Sequence, residues 1–290
     1  SIRPSMFPAD LWRPHRRNAG TMRTVQIKQK ERQKSMNDLI HIWLIVCPLV
    51  FLGGLIDAVA GGGGLITLPA YLIAGLPAHM ASGTNKCGNF FGTLLSAARF
   101  LKSGRINMAS ALCAAVGSLI GAFVGTKLNM VMPEEMLSYI MLAVVPVIAV
   151  FLAVKRDFGT QDRSGELGER TLLILSAAIG LAVGAYDGFF GPGAGTFLIL
   201  AFTSICRFDL LTASGNTKVA NSASNVASLV TFALAGKVMW SVGIPAALCG
   251  IAGNYVGSGL ALKNSAKIIR PMFFVVLTLL VIRLAYSLFF

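Results

Sequence analysis

The sequence predicts an all-α polytopic membrane protein with two homologous repeats. Each repeat has about four full transmembrane helices plus a glycine-broken half-helix or re-entrant segment. Three observations predict it: long apolar runs almost free of charge, a polar block that recurs mid-chain in fixed register, and glycine-rich breaks next to isolated charges. The chain has 290 residues, 55% of them hydrophobic and only 13% charged. A soluble domain carries about twice that charged fraction. Runs 40–60, 109–131, 137–154, 171–190, 243–262 and 271–290 are each close to ~20 residues, enough to cross ~30 Å of hydrocarbon. They lack the polar stripe at a period of ~3.6 residues that a soluble core helix shows.

The net charge of +13 is uneven. Arg13, Arg16, Arg17, Lys28, Lys30, Arg32 and Lys34 crowd the start, with only Asp10 and Glu31 nearby to oppose them. Residues 1–38 read as a basic, disordered cytoplasmic tail, suited to anionic lipid rather than nucleic acid. Cys47, Cys87, Cys113, Cys206 and Cys249 show neither a CxxC nor a Cys/His spacing, so no disulfide framework, metal or cofactor is expected. The basic start, apolar run and Ala58-Val59-Ala60 mimic a secretory signal. The same local sequence returns around Asp187, so 40–60 reads as a retained span.

The recurrence sets the domain plan. Ser82-Gly83-Thr84-Asn85-Lys86-Cys87-Gly88-Asn89 matches Ser214-Gly215-Asn216-Thr217-Lys218-Val219-Ala220-Asn221 at Ser, Gly, Lys and Asn. The same offset pairs Gly104 with Gly236, Arg105 with Lys237, Gly121 with Gly253 and Gly125 with Gly257. With a two-residue slip, Gly54, Asp57, Gly61 and Gly63 pair with Gly184, Asp187, Gly191 and Gly193. The repeats are therefore 39–154 and 171–290, joined by a charged cytoplasmic linker, 155–170. Short apolar stretches 65–74 and 196–201 cannot cross alone and follow glycine breaks, with Pro69, Pro77 and Pro192 nearby. Counting them as re-entrant gives eight spans, with the tail, Lys102–Arg105 and the linker all on the cytoplasmic side. The alternative counts them as spans, which makes five per half and an inverted repeat.

Asp57, Asp187, Lys86 and Lys218 fall at membrane depth, where a charge is costly unless paired or hydrated. They mark either a functional site or two structural ion pairs, one per half. The breaks Gly61–Gly64 and Gly191–Gly195 are neither a P-loop nor G-x-G-x-x-G. They offer exposed N–H groups at a short helix start, suited to an anion, or else a packing kink. Gly62, Gly63, Gly64 and Thr67 in the first half, and Gly193, Gly195 and Thr196 in the second, are the candidate ligands there. Asn85, Lys86 and Asn89, with Asn216, Lys218 and Asn221, add polar helix faces that form either a ligand cage or interhelical glue. Gly117, Gly121, Gly125, Gly253 and Gly257 are spaced for close helix packing.

The residues Asp57-Ala-Val-Ala-Gly-Gly-Gly-Gly-Leu65 through Pro69 and Gly83-Thr-Asn-Lys86 carry a resemblance, with Asp187-Gly-x-x-Gly-Pro-Gly-x-Gly195 and Gly215-Asn-Thr-Lys218 in the second half. From about residue 40 to 290 the chain strongly resembles the sulfite exporter TauE/SafE family, also called the toluene-sulfonate uptake permeases. The resemblance implies a multi-pass inner-membrane permease for a small sulfur-containing or organic anion. Competing classes are an anion channel, which needs a continuous polar lining, and an intramembrane enzyme, for which no H-E-x-x-H or G-x-S-x-G pattern is present. Expected partners are the lipid bilayer, the anion, coupling protons carried by Asp57 and Asp187, and a second copy of the chain as a homodimer.

Overall fold

The computed structural model describes residues 18–133, 135–136 and 161–264. The expected spans 137–154 and 271–290, residues 1–17 of the tail and 155–160 of the linker lie outside them. Eight α-helices are described: α1 (Asn18–Ala60), α2 (Gly64–Ile73), α3 (Ala78–Lys102), α4 (Met108–Val131), α5 (Glu169–Phe189), α6 (Ala194–Ser204), α7 (Leu210–Leu234) and α8 (Trp240–Asn264). Four stretches are long and apolar enough to cross a membrane: Leu39–Ala60, Met108–Val131, Glu169–Phe189 and Trp240–Lys263. The 25-residue helices α3 and α7 are also long enough at about 1.5 Å per residue, but carry the polar Ser-Gly-x-x-Lys blocks.

Local chemistry sets the helix ends. Gly61 at φ +75, and Gly191 and Gly193 at +90 and +80, turn the chain through left-handed backbone that glycine alone enters freely. These turns end α1 and α5 and let α2 and α6 start afresh. Asn107 caps α4 by accepting from Ser110 N, and Asp209 caps α7 by accepting from Leu211 N and Thr212 N. The sequence puts the second short stretch at 196–201, whereas α6 runs over 11 residues. Pro69 lies inside α2 rather than at its end.

Burial is inverted relative to a soluble protein. Leu112, Val116, Ile120, Ile174, Leu248 and Val256 face outward, while Lys218, Asn216, Ser110, Ser176, Thr126 and Asn129 lie inside. That is the pattern of helices packed in lipid, where polar groups seek one another. α4 and α5 touch along two glycine stripes. Gly117, Gly121 and Gly125 meet the carbonyls of Ala177, Leu181 and Ala185, and Gly180 and Gly188 meet those of Ala114 and Ala122. Gly253 and Gly257 meet the carbonyls of Phe51 and Leu55 on α1 in the same way. A side chain at any of these positions would overlap main chain.

Helix directions follow from these pairs. α1 and α8 run parallel, with Trp43 Nε1 bonded to Ser241 O at one end and Leu55 against Gly257 further along. α3 also runs parallel to α8, from Thr84 beside Met239 to Arg99 beside Ser258. α4 runs parallel to α5 and α7, from Ser110 beside Ser176 to Thr126 beside Gly188 and Ser228. α7 is antiparallel to α3, since Gly83 meets Lys237 while Gly215 meets Arg105.

The eight-span scheme needs α1 and α3 to be antiparallel, and they are parallel. The start of α1's apolar run, at Trp43 and Ser241, therefore lies at the opposite end from Lys102 and Arg105. α2 supplies the return pass: Thr67 lies against Gly53, and Gly63 against Asp57. The described linker residues share the Arg105 end. Arg163 N donates to Arg207 O, and Glu166 bridges Arg163 at 2.6 Å and Arg207 at 2.5 Å. The Arg163 hydrogen bond, helped by Arg207, holds the Glu166 carboxyl below its ordinary range. Single cysteines at Lys102 and at Arg163, in a background without native cysteines, are expected to react with an impermeant thiol reagent from one side. A cysteine at Lys237 is expected to react from the other side. Labelling of all three from one side contradicts the helix directions.

Candidate functional site

The two glycine breaks meet back to back at the centre of the described helices. A Cβ on Gly61 would sit under 3 Å from the backbone of Gly195 and Thr196, and one on Gly195 would strike Gly61. Gly64 packs on Pro192. Neither α2 nor α6 has a side-chain cap on its first turn. Their first turns meet main chain instead: Leu65, Ile66 and Thr67 donate to Gly62 and Gly63, and Ala194 and Phe197 to Gly191 and Gly193, while the helix partial positive charge remains.

Beside this contact lie two buried ion pairs. Lys86 Nζ on α3 is 2.7 Å from Asp187 Oδ2 on α5, and Lys218 Nζ on α7 is 3.2 Å from Asp57 Oδ2 on α1. The sequence leaves open one structural pair per half. Instead each lysine reaches the aspartate before the other glycine break, so the pairs cross. Lys86 also donates to Asn225 Oδ1 at 3.3 Å, and Asp187 accepts from Ser224 Oγ at 2.5 Å. Lys218 also donates to the main-chain oxygen of Asp57 and is fully buried, at 0% exposure.

A cavity of about 20 Å³, room for about one water molecule, opens between the pairs and the breaks. Asp57, Asp187 and Lys86 line it, with Gly61, Gly64, Gly191 and Gly195 from the breaks and Asn85, Asn89, Asn221 and Asn225 from α3 and α7. Asn89 Nδ2 donates to Asn85 Oδ1 at 3.1 Å and to Thr67 Oγ1 at 3.5 Å.

Several sequence candidates sit elsewhere. Lys218 is sealed outside the cavity lining. Asn216 holds the start of α4, accepting from Asn107 N at 2.9 Å and donating to Ser110 Oγ at 3.4 Å. Thr84 does the same for α8, accepting from Met239 N at 3.0 Å. Thr196 ties the breaks by donating to Ala60 O at 3.0 Å. Gly62 and Gly63 accept from α2's first turn, and Gly193 forms the left-handed start of α6. His79 lies buried in the first turn of α3, with Nδ1 3.1 Å from Asn129 Oδ1.

Two residues at the site escaped the sequence analysis, Ser224 and Asn225. Asn225 lies one helical turn beyond Asn221 and two beyond Lys218, a face that spacing could have extended. At the repeat offset their counterparts are Gly92 and Thr93, so matching the halves concealed them.

Apolar faces toward lipid around a charged centre at two helix breaks are the build of a membrane transporter. The family model for the sulfite exporter TauE/SafE matches residues 46–284, and the chain belongs to that family. It is 36% identical over 250 residues to the probable membrane transporter protein ORF9 of a Sinorhizobium species, covering 86% of this chain and 95% of that protein. It is 32% identical over 258 residues to the probable membrane transporter protein YfcA of Escherichia coli K12, covering 88% and 95%. A probable membrane transporter protein of Haemophilus influenzae is 32% identical over 252 residues, covering 86% and 96%. No solved structure matches the chain.

Proposed function

We propose that the protein is a secondary transporter of a small sulfur-containing oxyanion or organosulfonate, such as sulfite, in the cell inner membrane. The observation that carries this is the cavity lined by Lys86, four asparagines and the glycine breaks at two helix starts, with Asp57 and Asp187 at its edge. Lysine and asparagine amide groups donate and helix starts carry partial positive charge, which suits a ligand that only accepts hydrogen bonds once an aspartate is neutralised. The family's name supplies the sulfur chemistry.

The repeat reading belongs to the same proposal. Its support is the crossing of the ion pairs, of Gly83 with Lys237 and Gly215 with Arg105, and of Thr84 with Met239 and Asn216 with Asn107. These partners are matched at the repeat offset. With α1 parallel to α3 and α8 and antiparallel to α7, the arrangement fits five passes per half in inverted orientation.

Two lysines and two aspartates leave the centre with no net charge. An entering anion breaks that balance, and a proton taken up by an aspartate restores it. Asp187 and Asp57 are thus the coupling groups. In proteoliposomes with an imposed pH gradient, the parent is expected to accumulate one or more of sulfite, methanesulfonate, sulfate and acetate. Asp187→Asn is expected to abolish accumulation against a gradient while keeping anion binding. Accumulation equal to the parent's in both Asp187→Asn and Asp57→Asn removes the aspartates from coupling.

A further inference from the structure

The two ion pairs are matched in sequence but not in surroundings. Lys86 and both aspartates line the cavity, but only Lys86 and Asp187 hold a second side-chain partner from α7, Asn225 and Ser224. Lys218 has no exposure, and its Nζ is held by both the main-chain and side-chain oxygens of Asp57. The positions matching Ser224 and Asn225 carry Gly92, which has no side chain, and Thr93, whose hydroxyl donates to the carbonyls of Asn89 and Phe90. The lopsidedness is thus written into the residues as well as the conformation.

From this we infer that each chain binds a single anion at Lys86, and that Lys218, held by Asp57, is a latch that never contacts it. The inference rests on the transporter reading above. An anion at Lys86 displaces the Asp187 carboxylate from the ammonium. Ser224 donates to that carboxylate at 2.5 Å, with the Asn221 main-chain oxygen 3.0 Å away, and so holds the aspartate as the ammonium leaves it. Asn225 keeps Lys86 aimed at the cavity from the far side, itself held by donating to Thr93 Oγ1 at 3.4 Å. Lys218 has no such relay. Freeing it breaks two bonds to Asp57 at the end of α1, a change that moves a helix rather than seats a ligand.

The test is equilibrium binding of sulfite, methanesulfonate, sulfate and acetate to purified protein, with flux in proteoliposomes for each anion bound. A lone lysine replacement strands a buried carboxylate, so each lysine is removed with its aspartate. Lys86→Met/Asp187→Asn is expected to weaken binding about thirtyfold or more, and Ser224→Ala about fivefold. Lys218→Met/Asp57→Asn removes a coupling aspartate but no donor to the anion, and is expected to keep affinity within about threefold of the parent while losing gradient-driven accumulation. Equal losses of affinity in the two double variants, or parent affinity in both Lys86→Met/Asp187→Asn and Ser224→Ala, overturn the single-site assignment and leave the transporter reading standing. A folded parent that neither binds nor moves any of the four anions overturns that reading itself.

Discussion

Replacing Lys218 with methionine is expected to destabilise the protein by about 3 kcal/mol or more. The lysine is wholly buried and its ammonium meets Asp57 through both the carboxylate, at 3.2 Å, and the main-chain oxygen. Removing one partner leaves Asp57, itself only 8% exposed, as an uncompensated buried charge. Removing both is different. A buried pair costs so much desolvation that a neutral replacement of similar size is often no less stable. Lys218→Met/Asp57→Asn is therefore expected to recover most of the loss. Thermal unfolding of detergent-purified protein measures both, and a single variant as stable as the parent contradicts the buried pairing.

A comparable loss is expected for Gly61→Ala. At φ +75 any side chain costs about 1–2 kcal/mol in backbone strain. Here the added carbon also runs into the backbone of Gly195 and Thr196, prising the two breaks apart. Gly75 provides the control: its φ is +89, yet nothing lies within 4 Å of where its Cβ would stand. Gly75→Ala is expected to show the strain alone, with transport retained. Gly61→Ala is expected to lose transport and a further increment of stability. Equal effects at the two positions contradict the close approach of the breaks.

These positions also show what the sequence could reveal. Asp57, Lys86, Asp187 and Lys218 are conspicuous because a charge inside an apolar run demands a partner. Spacing alone cannot tell which lysine meets which aspartate, since both pairings satisfy it. The packing glycines on α4 and α8 are equally legible, because close helix contact in lipid calls for small residues at one face. The direction of α3 is not. Counting lysines and arginines treats the ten-residue α2 as a detour, and the basic start then draws Lys102 and Arg105 to its own side. The contact of Thr67 with Gly53 shows α2 running back along α1, and that single fold reverses the assignment. Asn216 misled for a simpler reason: two residues from Lys218 on a helix, it points away from the lysine's face. Ser224 and Asn225 stayed hidden because the repeat guided the search, and there the halves diverge.

The cavity has room for about one water molecule, so seating an anion as proposed calls for the helices to part at the breaks. The backbone contact of Gly61 with Gly195 is the natural place for that parting. Gly61 lies between α1 and α2 and Gly195 in the first turn of α6, and the hydrogen bond from Thr196 Oγ1 to Ala60 O bridges the two breaks.

The central claim is that an oxyanion crosses through this cavity, and flux in proteoliposomes tests it most directly. Parent protein and the Lys86→Met/Asp187→Asn variant, shown to be folded by thermal unfolding, are reconstituted at equal density and given sulfite, methanesulfonate, sulfate and acetate under a pH gradient. The parent is expected to show gradient-driven uptake of a sulfur oxyanion, and the variant uptake no greater than protein-free vesicles. Equal uptake by parent and variant would contradict it.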